Sequence, residues 1–285
     1  MARGMSLHVG LNTVDPNHYD GWDGALAACE FDANDMESLA QSRGFETTKL
    51  LTGEATADAV LNGIESAAGE LESGDIFFIT YSGHGGQVPD GDDDEIDSSD
   101  ETWVAHDRQI VDDELYELWG KFKPGVRIVV LSDSCHSGSV NKGITNAEPE
   151  VVPDPVATAE NAAQQNPRFR ALPRDKMIAT YRANKALYDG IQKRVAGSES
   201  TESQLGVTAL LISGCKDDQL SRDGFSNGRF TEELKKVWAD GGWQGGYPAF
   251  HEAIVSGMPD DQTPNYNPVG ATNTDFEQQN PFTVQ

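Results

Sequence analysis

Tyr81-Ser82-Gly83-His84-Gly85-Gly86 and Asp133-Ser134-Cys135-His136-Ser137-Gly138 are the two stretches that decide how this chain reads. The first closes the apolar run Ile76-Phe77-Phe78-Ile79-Thr80, and the second closes Arg127-Ile128-Val129-Val130-Leu131. Short β-branched apolar runs that end in glycine have the pattern of buried parallel strands. In an open α/β sheet the carboxyl ends of the strands line the functional crevice. His84 and Cys135, 51 residues apart, are therefore expected side by side. A thiol becomes a nucleophile at neutral pH when a base stands beside it, and histidine is the usual base.

His136 is the rival base, but adjacent residues on an extended chain point to opposite faces. Cys29 and Cys215 are the rival thiols, and neither has the strand–Ser–Cys–His–Ser–Gly setting. Asp133 stands two residues before Cys135, on the same face of an extended segment. An anion there raises a thiol pKa, so its better use is to bind a substrate cation.

Outward from these motifs the chain alternates strand and helix. Ser6 to Leu11 reads as a first strand and Ala25 to Arg43 as a helix with Phe31, Met36 and Leu39 on its apolar side, ended by Gly44. Glu46 to Leu51 is a strand, and Thr56 to Leu71 and Val111 to Phe122 are helices. Asp175 to Arg194 is a helix, Val207 to Ser213 a strand, and Phe230 to Trp238 and Ala249 to Val255 are helices. Gln262 to Pro268 is an edge segment, because proline cannot sit in a central strand. Such alternation predicts an α/β fold with a mostly parallel central sheet and helices on both faces.

The chain has 285 residues and a net charge of −26. That charge argues against nucleic acid and anionic membranes as partners. It fits either a salt-tolerant source or the attraction of basic substrates. No apolar stretch approaches the ~18 residues of a membrane span, and the first residues lack a signal-peptide core. Three widely spaced cysteines argue against a disulfide framework, which points to a reducing cytoplasm.

YSGHG followed by DSCHSG resembles the metacaspases and bacterial orthocaspases, the caspase-like cysteine peptidases. SGCKDDQ at Ser213 to Gln219 is similar to a further motif of that family, although Leu220-Ser221 stands where its usual Thr-Ser would be. The resemblance implies one caspase-like peptidase domain over 1–285. Residues 1–140 would be the large catalytic part, 141–206 the connecting region and 207–285 the small part. It further implies a catalytic pair of His84 and Cys135, with the backbone N–H groups of Gly85 and Cys135 as the oxyanion hole. Ala28-Cys29-Glu30-Phe31-Asp32-Ala33 resembles the family motif whose aspartate lines the first specificity pocket. Carried over by position, Cys29, Asp32, Ser82 and Asp133 form an acidic pocket for arginine or lysine.

Asp90 to Glu101 holds eight acidic residues in twelve and no basic one. It loosely mimics an EF-hand loop, but Glu95 stands where that loop requires glycine. The family resemblance implies a different calcium site, at Asp100, Asp112 and Asp113. Its fourth position corresponds to Lys142, so either Ca2+ binds beside the three carboxylates or the lysine ammonium takes its place.

The leading expectation is a cysteine endopeptidase, a monomer, acting on peptide or protein substrates with Arg or Lys at the cut and using no organic cofactor. The alternative is a catalytically silent caspase-like regulatory or interaction module, against which the intact His84 and Cys135 argue. The segment from Asn141 to Gly206 carries nine of the 21 basic residues. Its proline- and serine-rich parts are expected to be accessible, so self-cleavage is expected near Arg170 to Lys176 or at Lys193-Arg194.

Overall fold

The computed structural model describes residues 2–89, 99–134, 169–196, 205–215, 221–224 and 226–284. Within them the two apolar runs become neighbouring parallel strands, β3 (Ile76–Ser82) and β7 (Arg127–Asp133), buried along their whole length. Ser82 lies opposite Asp133, so the two strands end together. The other strands of the sheet are β1 (Gly4–Gly10), β2 (Glu46–Leu51), β8 (Thr208–Ser213) and β9 (Asn265–Gly270). Their order is β2-β1-β3-β7-β8-β9, and every pairing is parallel except β8 with β9. Pro268 falls in β9, at the sheet edge where proline is tolerated.

Successive side chains of a strand face opposite ways, and the two cores obey that alternation. Phe77, Ile79, Ile128 and Val130 pack on one face with α2 (Ala57–Glu70) and α3 (Asp112–Trp119). Phe78, Val129 and Leu131 pack on the other with α1 (Cys29–Ser42), α6 (Arg229–Trp238) and α7 (Tyr247–Gly257). The fold is the α/β architecture expected from the alternation, a mostly parallel sheet with helices on both faces.

Two local expectations are corrected and one unread element is added. The first helix starts at Cys29 and not at Ala25, where Asn12 Oδ1 accepts from the N–H groups of Cys29 (3.1 Å) and Glu30 (3.4 Å). Phe31 is 53% exposed, because the buried stripe of α1 runs through Cys29, Asp32, Ala33, Met36, Leu39 and Ala40. A small antiparallel sheet also follows His84: β4 (Gly85–Pro89), β5 (Ser99–Val104) and β6 (Gln109–Val111). Glycine and acidic residues are poor strand formers, so this sheet left little pattern to read.

In the connecting region the expected single helix is two, α4 (Arg174–Ala183) and α5 (Lys185–Ala196), separated by Asn184. The first packs on β4 and the second on α3. Pro149, Pro153, Pro155, Pro167 and the stretch from Gly197 to Ser203 lie outside the described residues. A last short helix, α8 (Thr274–Glu277), follows β9. Among the described residues no helix is long and apolar enough to cross a membrane.

Candidate active site

His84 is buried just beyond the end of β3. Its Nε2 lies 2.9 Å from the Gly24 carbonyl oxygen. A carbonyl only accepts, so Nε2 carries the proton and Nδ1 presents the basic lone pair. Among the described residues Nδ1 has no hydrogen-bond partner. Burial lowers the imidazole pKa to about 4, with the Gly24 carbonyl pulling upward, so His84 is neutral at neutral pH. Gly24 has φ +56°, and a Cβ there would meet Trp22 at 2.9 Å and His84 Cδ2 at 3.2 Å. Trp22 packs on the imidazole with ring centroids 4.6 Å apart.

The loop around His84 is fixed from below. The Tyr81 hydroxyl donates to the carbonyls of His84 (2.7 Å) and Val104 (3.0 Å). Its ring stacks on Trp103, whose Nε1 donates to Ser132 Oγ at 3.0 Å. Ser132 Oγ in turn lies 2.9 Å from Ser134 Oγ, so the ends of β3 and β7 are tied together.

Next to this histidine, the acidic pocket is filled by the chain itself. Arg170 is fully buried. Its Nη2 donates to Asp32 Oδ2 (2.7 Å) and Asp223 Oδ1 (3.0 Å). Its Nη1 reaches Ser82 Oγ (2.9 Å), the Asp133 carbonyl (3.1 Å) and Asp133 Oδ2 (2.9 Å). Cys29, Asp32, Ser82 and Asp133 thus converge on one place, since the Cys29 thiol feels the charges of Arg170, Asp32 and Asp223 and touches Ser82. Burial alone would lower the Arg170 pKa, but Asp133, Asp32 and Asp223 together hold it well above the ordinary value. Asp32 is pushed up by burial and by Asp133, against the pull of Arg170.

The backbone around Arg170 is bound as well. Its N–H donates to the Ser221 carbonyl (3.1 Å), and its own carbonyl accepts from Gly85 N–H at 3.0 Å. Leu172 N–H donates to the Gly85 carbonyl at 2.8 Å. Residues Phe169 and Ala171 form single bridges to Arg222 and Gly85. The Ala171 carbonyl, like that of Gly24, acts to raise the His84 pKa against the effect of burial. The expectation that this basic segment is accessible does not hold for Arg170, whose charge is matched by three carboxylates.

Asp223 and Gly228 belong to the pocket and were not read from the sequence. A Cβ on Gly228 would come within 2.4 Å of Asp133 Oδ2 and 2.5 Å of both Arg170 Nη atoms. Asp223 carries no motif beyond following the SGCKDDQ stretch by a few residues. Cys135, with its thiol and N–H, His136 and Lys142 lie outside the described residues. The rival thiols are both buried, and burial pushes the Cys29 pKa up to about 12, which keeps it protonated and inert.

Asp100, Asp112 and Asp113 lie close enough to feel one another. Burial, then Asp100 and Asp113, raise Asp112 to about 7. Gln192 Nε2 donates to Asp100 Oδ2 at 2.9 Å. Among the described residues no group of three such side chains is arranged to hold a metal ion.

A strand-end histidine beside a filled cation pocket, at the carboxyl edge of this sheet, defines an α/β protein that holds a basic side chain next to a buried base. The family model described as Caspase domain matches residues 13–277, and the chain belongs to that family of cysteine-type peptidases. It is 30% identical to Metacaspase-1 of Lodderomyces elongisporus over 81% of this chain and 56% of that protein. Metacaspase-1 of Mycosarcoma maydis is 28% identical over 79% of this chain and 59% of that protein. The chain therefore spans somewhat more than half the length of these relatives. Among solved structures, protein GSU0716 of Geobacter sulfurreducens is 47% identical, with TM-score 0.87 and 99% of both chains covered. Caspase-1 of Spodoptera frugiperda shares the fold at 12% identity and TM-score 0.55, with 94% of this chain and 89% of that one covered.

The pocket geometry makes two predictions. Asp223→Ala removes one charge-assisted bond to Nη2, worth about 1.5–3 kcal/mol. Hydrolysis of arginyl peptides should fall roughly ten- to a hundred-fold in kcat/KM, while lysyl peptides, with one nitrogen to place, should lose less. Parallel kinetics on matched Arg and Lys peptides test this, and an unchanged Arg/Lys ratio would refute it. The second concerns pH. Asp32 is the carboxylate held up by burial, whereas His84 stays neutral down to about pH 4. On acidification from neutrality Asp32 gains its proton first and the guanidinium loses a partner. KM for arginyl peptides should rise before kcat falls, and a kcat loss that comes first would contradict the order.

Proposed function

We propose that this chain is a cysteine endopeptidase that cuts after arginine or lysine, with Cys135 as nucleophile and His84 as general acid–base, and that it processes itself at Arg170–Ala171. One observation carries the reading. Arg170 lies in the acidic pocket with its carbonyl on Gly85 N–H, the residue next to His84, and the chain after it held by Leu172 N–H on the Gly85 carbonyl. That is the arrangement of a peptide substrate whose scissile carbonyl faces an oxyanion donor.

In the proposed reaction His84 Nδ1 takes the proton of the Cys135 thiol and returns it to the Ala171 nitrogen as the C–N bond breaks. The Gly85 N–H, with that of Cys135 as the partner donor, stabilises the charge that develops on the Arg170 oxygen. Water then hydrolyses the thioester. Peptides from other proteins would enter the same pocket once Arg170 leaves it, so the intact chain is held back by its own strap. The substrates that fit are basic and extended, pairing with the backbone at Ser221 and Arg222 as Phe169 and Arg170 do.

Calcium is proposed as an effector at Asp100, Asp112 and Asp113. Oxygen donors of this kind suit a hard cation, and the elevated Asp112 supports the reading, because a cation would offset the burial and the charges of Asp100 and Asp113 that together hold its proton. The ion would supply charge neutralisation there and takes no part in the steps above.

Intact mass spectrometry of the wild type beside Cys135→Ala and His84→Ala tests the central reading. The wild type should yield fragments ending at Arg170 and beginning at Ala171, and neither variant should. Fluorogenic arginyl peptides should be cut at a rate lowered by several orders of magnitude in both variants. Full turnover by Cys135→Ala would refute the assignment, and no cleavage of any substrate would favour a catalytically silent module. For calcium, addition to weakly buffered protein at pH 7 should release protons from the wild type and not from Asp112→Asn. Absence of release in both would remove the calcium site.

A further inference from the structure

We infer that the Arg170–Ala171 bond is remade as well as cut, because the amine freed by cleavage stays docked in an acceptor site of its own. This inference rests on the peptidase reading and adds to it a peptide-ligase activity and an apolar subsite on the leaving side. The subsite is the hollow that receives Leu172. Its side chain is 6% exposed and packs with Val14, Tyr19, Val104 and Met177, with Trp22 against the same cluster. The Leu172 N–H is fixed on the Gly85 carbonyl at 2.8 Å.

The chain beyond Leu172 is held independently of the scissile bond. Pro173 leads into α4, which packs on β4 and carries Met177 into the cluster. Lys176 Nζ bonds the carbonyl and carboxylate of Asp20 at 2.8 and 3.0 Å. On the other side, the Arg170 guanidinium and N–H keep their partners at Asp32, Asp133, Asp223 and Ser221 whether or not its carbonyl carbon is joined to Ala171. Neither new end is released by the cut itself.

The chemistry balances in both directions. Cutting forms the bond from Cys135 sulfur to the Arg170 carbonyl carbon, breaks the bond from that carbon to Ala171 nitrogen, and leaves the proton on the amine. In reverse, the Cys135 thiol attacks the carbon of the protonated Arg170 carboxyl and water leaves to re-form the thioester; the Ala171 amine lone pair then attacks that carbon, the carbon–sulfur bond breaks to give the thiolate, and His84 accepts the surplus proton. Water competes for the same thioester. A reactant held in near-attack geometry acts with an effective molarity of ~10⁵ M or more, so the docked amine outruns water and the thioester mostly returns to the intact chain. Hydrolysis accumulates slowly and stops at a mixture of cut and intact chains. The acceptor class this subsite takes is a peptide amine that starts with a small residue and then an apolar one, as Ala171-Leu172 does.

The two-fragment protein, purified after self-processing, is the material for the test. On incubation it should regain intact chain, lighter than the two fragments together by one water. The ratio should be the same as that reached from freshly made intact protein. Leu172→Ala and Leu172→Asp should shift this ratio at least ten-fold toward the cut form, and Leu172→Met should preserve it. A labelled peptide beginning Ala-Leu, offered to Leu172→Asp, should become joined to the fragment ending in Arg170. Complete cleavage of the wild type with no regain of the intact mass would overturn the inference, a result that needs no variant to fold. So would an unchanged ratio in Leu172→Ala. Hydrolysis of arginyl peptides without any self-cutting would overturn it and leave the peptidase reading standing. Loss of both would be the failure of that reading itself.

Discussion

A guanidinium held by three buried carboxylates is the interaction on which the site is organised. Asp32 comes from α1, Asp133 from the end of β7, Asp223 from the segment before α6, and Arg170 from the connecting region. Burying one cation with three anions leaves an excess of negative charge, which only hydrogen bonding makes tolerable. Each anion has neutral donors of its own. Asp32 accepts from Asn227 Nδ2 and Gly228 N–H, Asp133 from Ser221 Oγ and Thr231, and Asp223 from Ala27 N–H. These donors come from the same segments that form the pocket walls, so the anions are preorganised before any cation arrives. The more weakly hydrated guanidinium gives up less on entry than an ammonium and presents two nitrogens to the two sides of the pocket.

On the peptidase reading, the same preorganisation makes the chain its own first substrate. An external arginine must give up translational freedom to enter, whereas Arg170 is already tethered to both halves of the sheet. Its backbone is bound in register by Gly85 on one side and Ser221 on the other. Specificity and self-restraint therefore come from one set of contacts, and no variant that weakens the carboxylates alters one without the other.

Much of the fold is legible in the residues because burial writes a period into the sequence. The runs ending at Ser82 and Asp133 are apolar on both faces, as a strand covered by helices on both sides requires. Their glycine and serine ends locate the crevice, and Asp32 is reached through its motif. What escapes reading has a common cause. Phe31 reads as a core residue by composition, yet its angle on α1 turns it outward. The strands of β4-β5-β6 are short and interrupted by Gly85, Gly86, Pro89, Asp100 and Glu101, so their pairing leaves little local pattern. Asp223 and Gly228 act through positions brought together only by folding. Arg170 reads as one of many basic residues on a surface loop, because nothing local records that three distant carboxylates are waiting for it.

The acidity of the whole chain acts at a different range from the acidity of the pocket. Forty-seven acidic residues against 21 basic ones create a negative surface field, which on the peptidase reading draws in basic peptides, and salt screens that field over about 10 Å at 0.1 M. The pocket carboxylates are almost wholly removed from solvent, where mobile ions do not reach. Encounter is therefore salt-sensitive while recognition is not. Recognition also cannot be strengthened by adding surface charge, since the pocket already holds more negative charge than one arginine neutralises. What limits turnover on other proteins, on the peptidase reading, is the departure of Arg170, a competition between two identical guanidinium groups in which the tethered one holds the advantage of position.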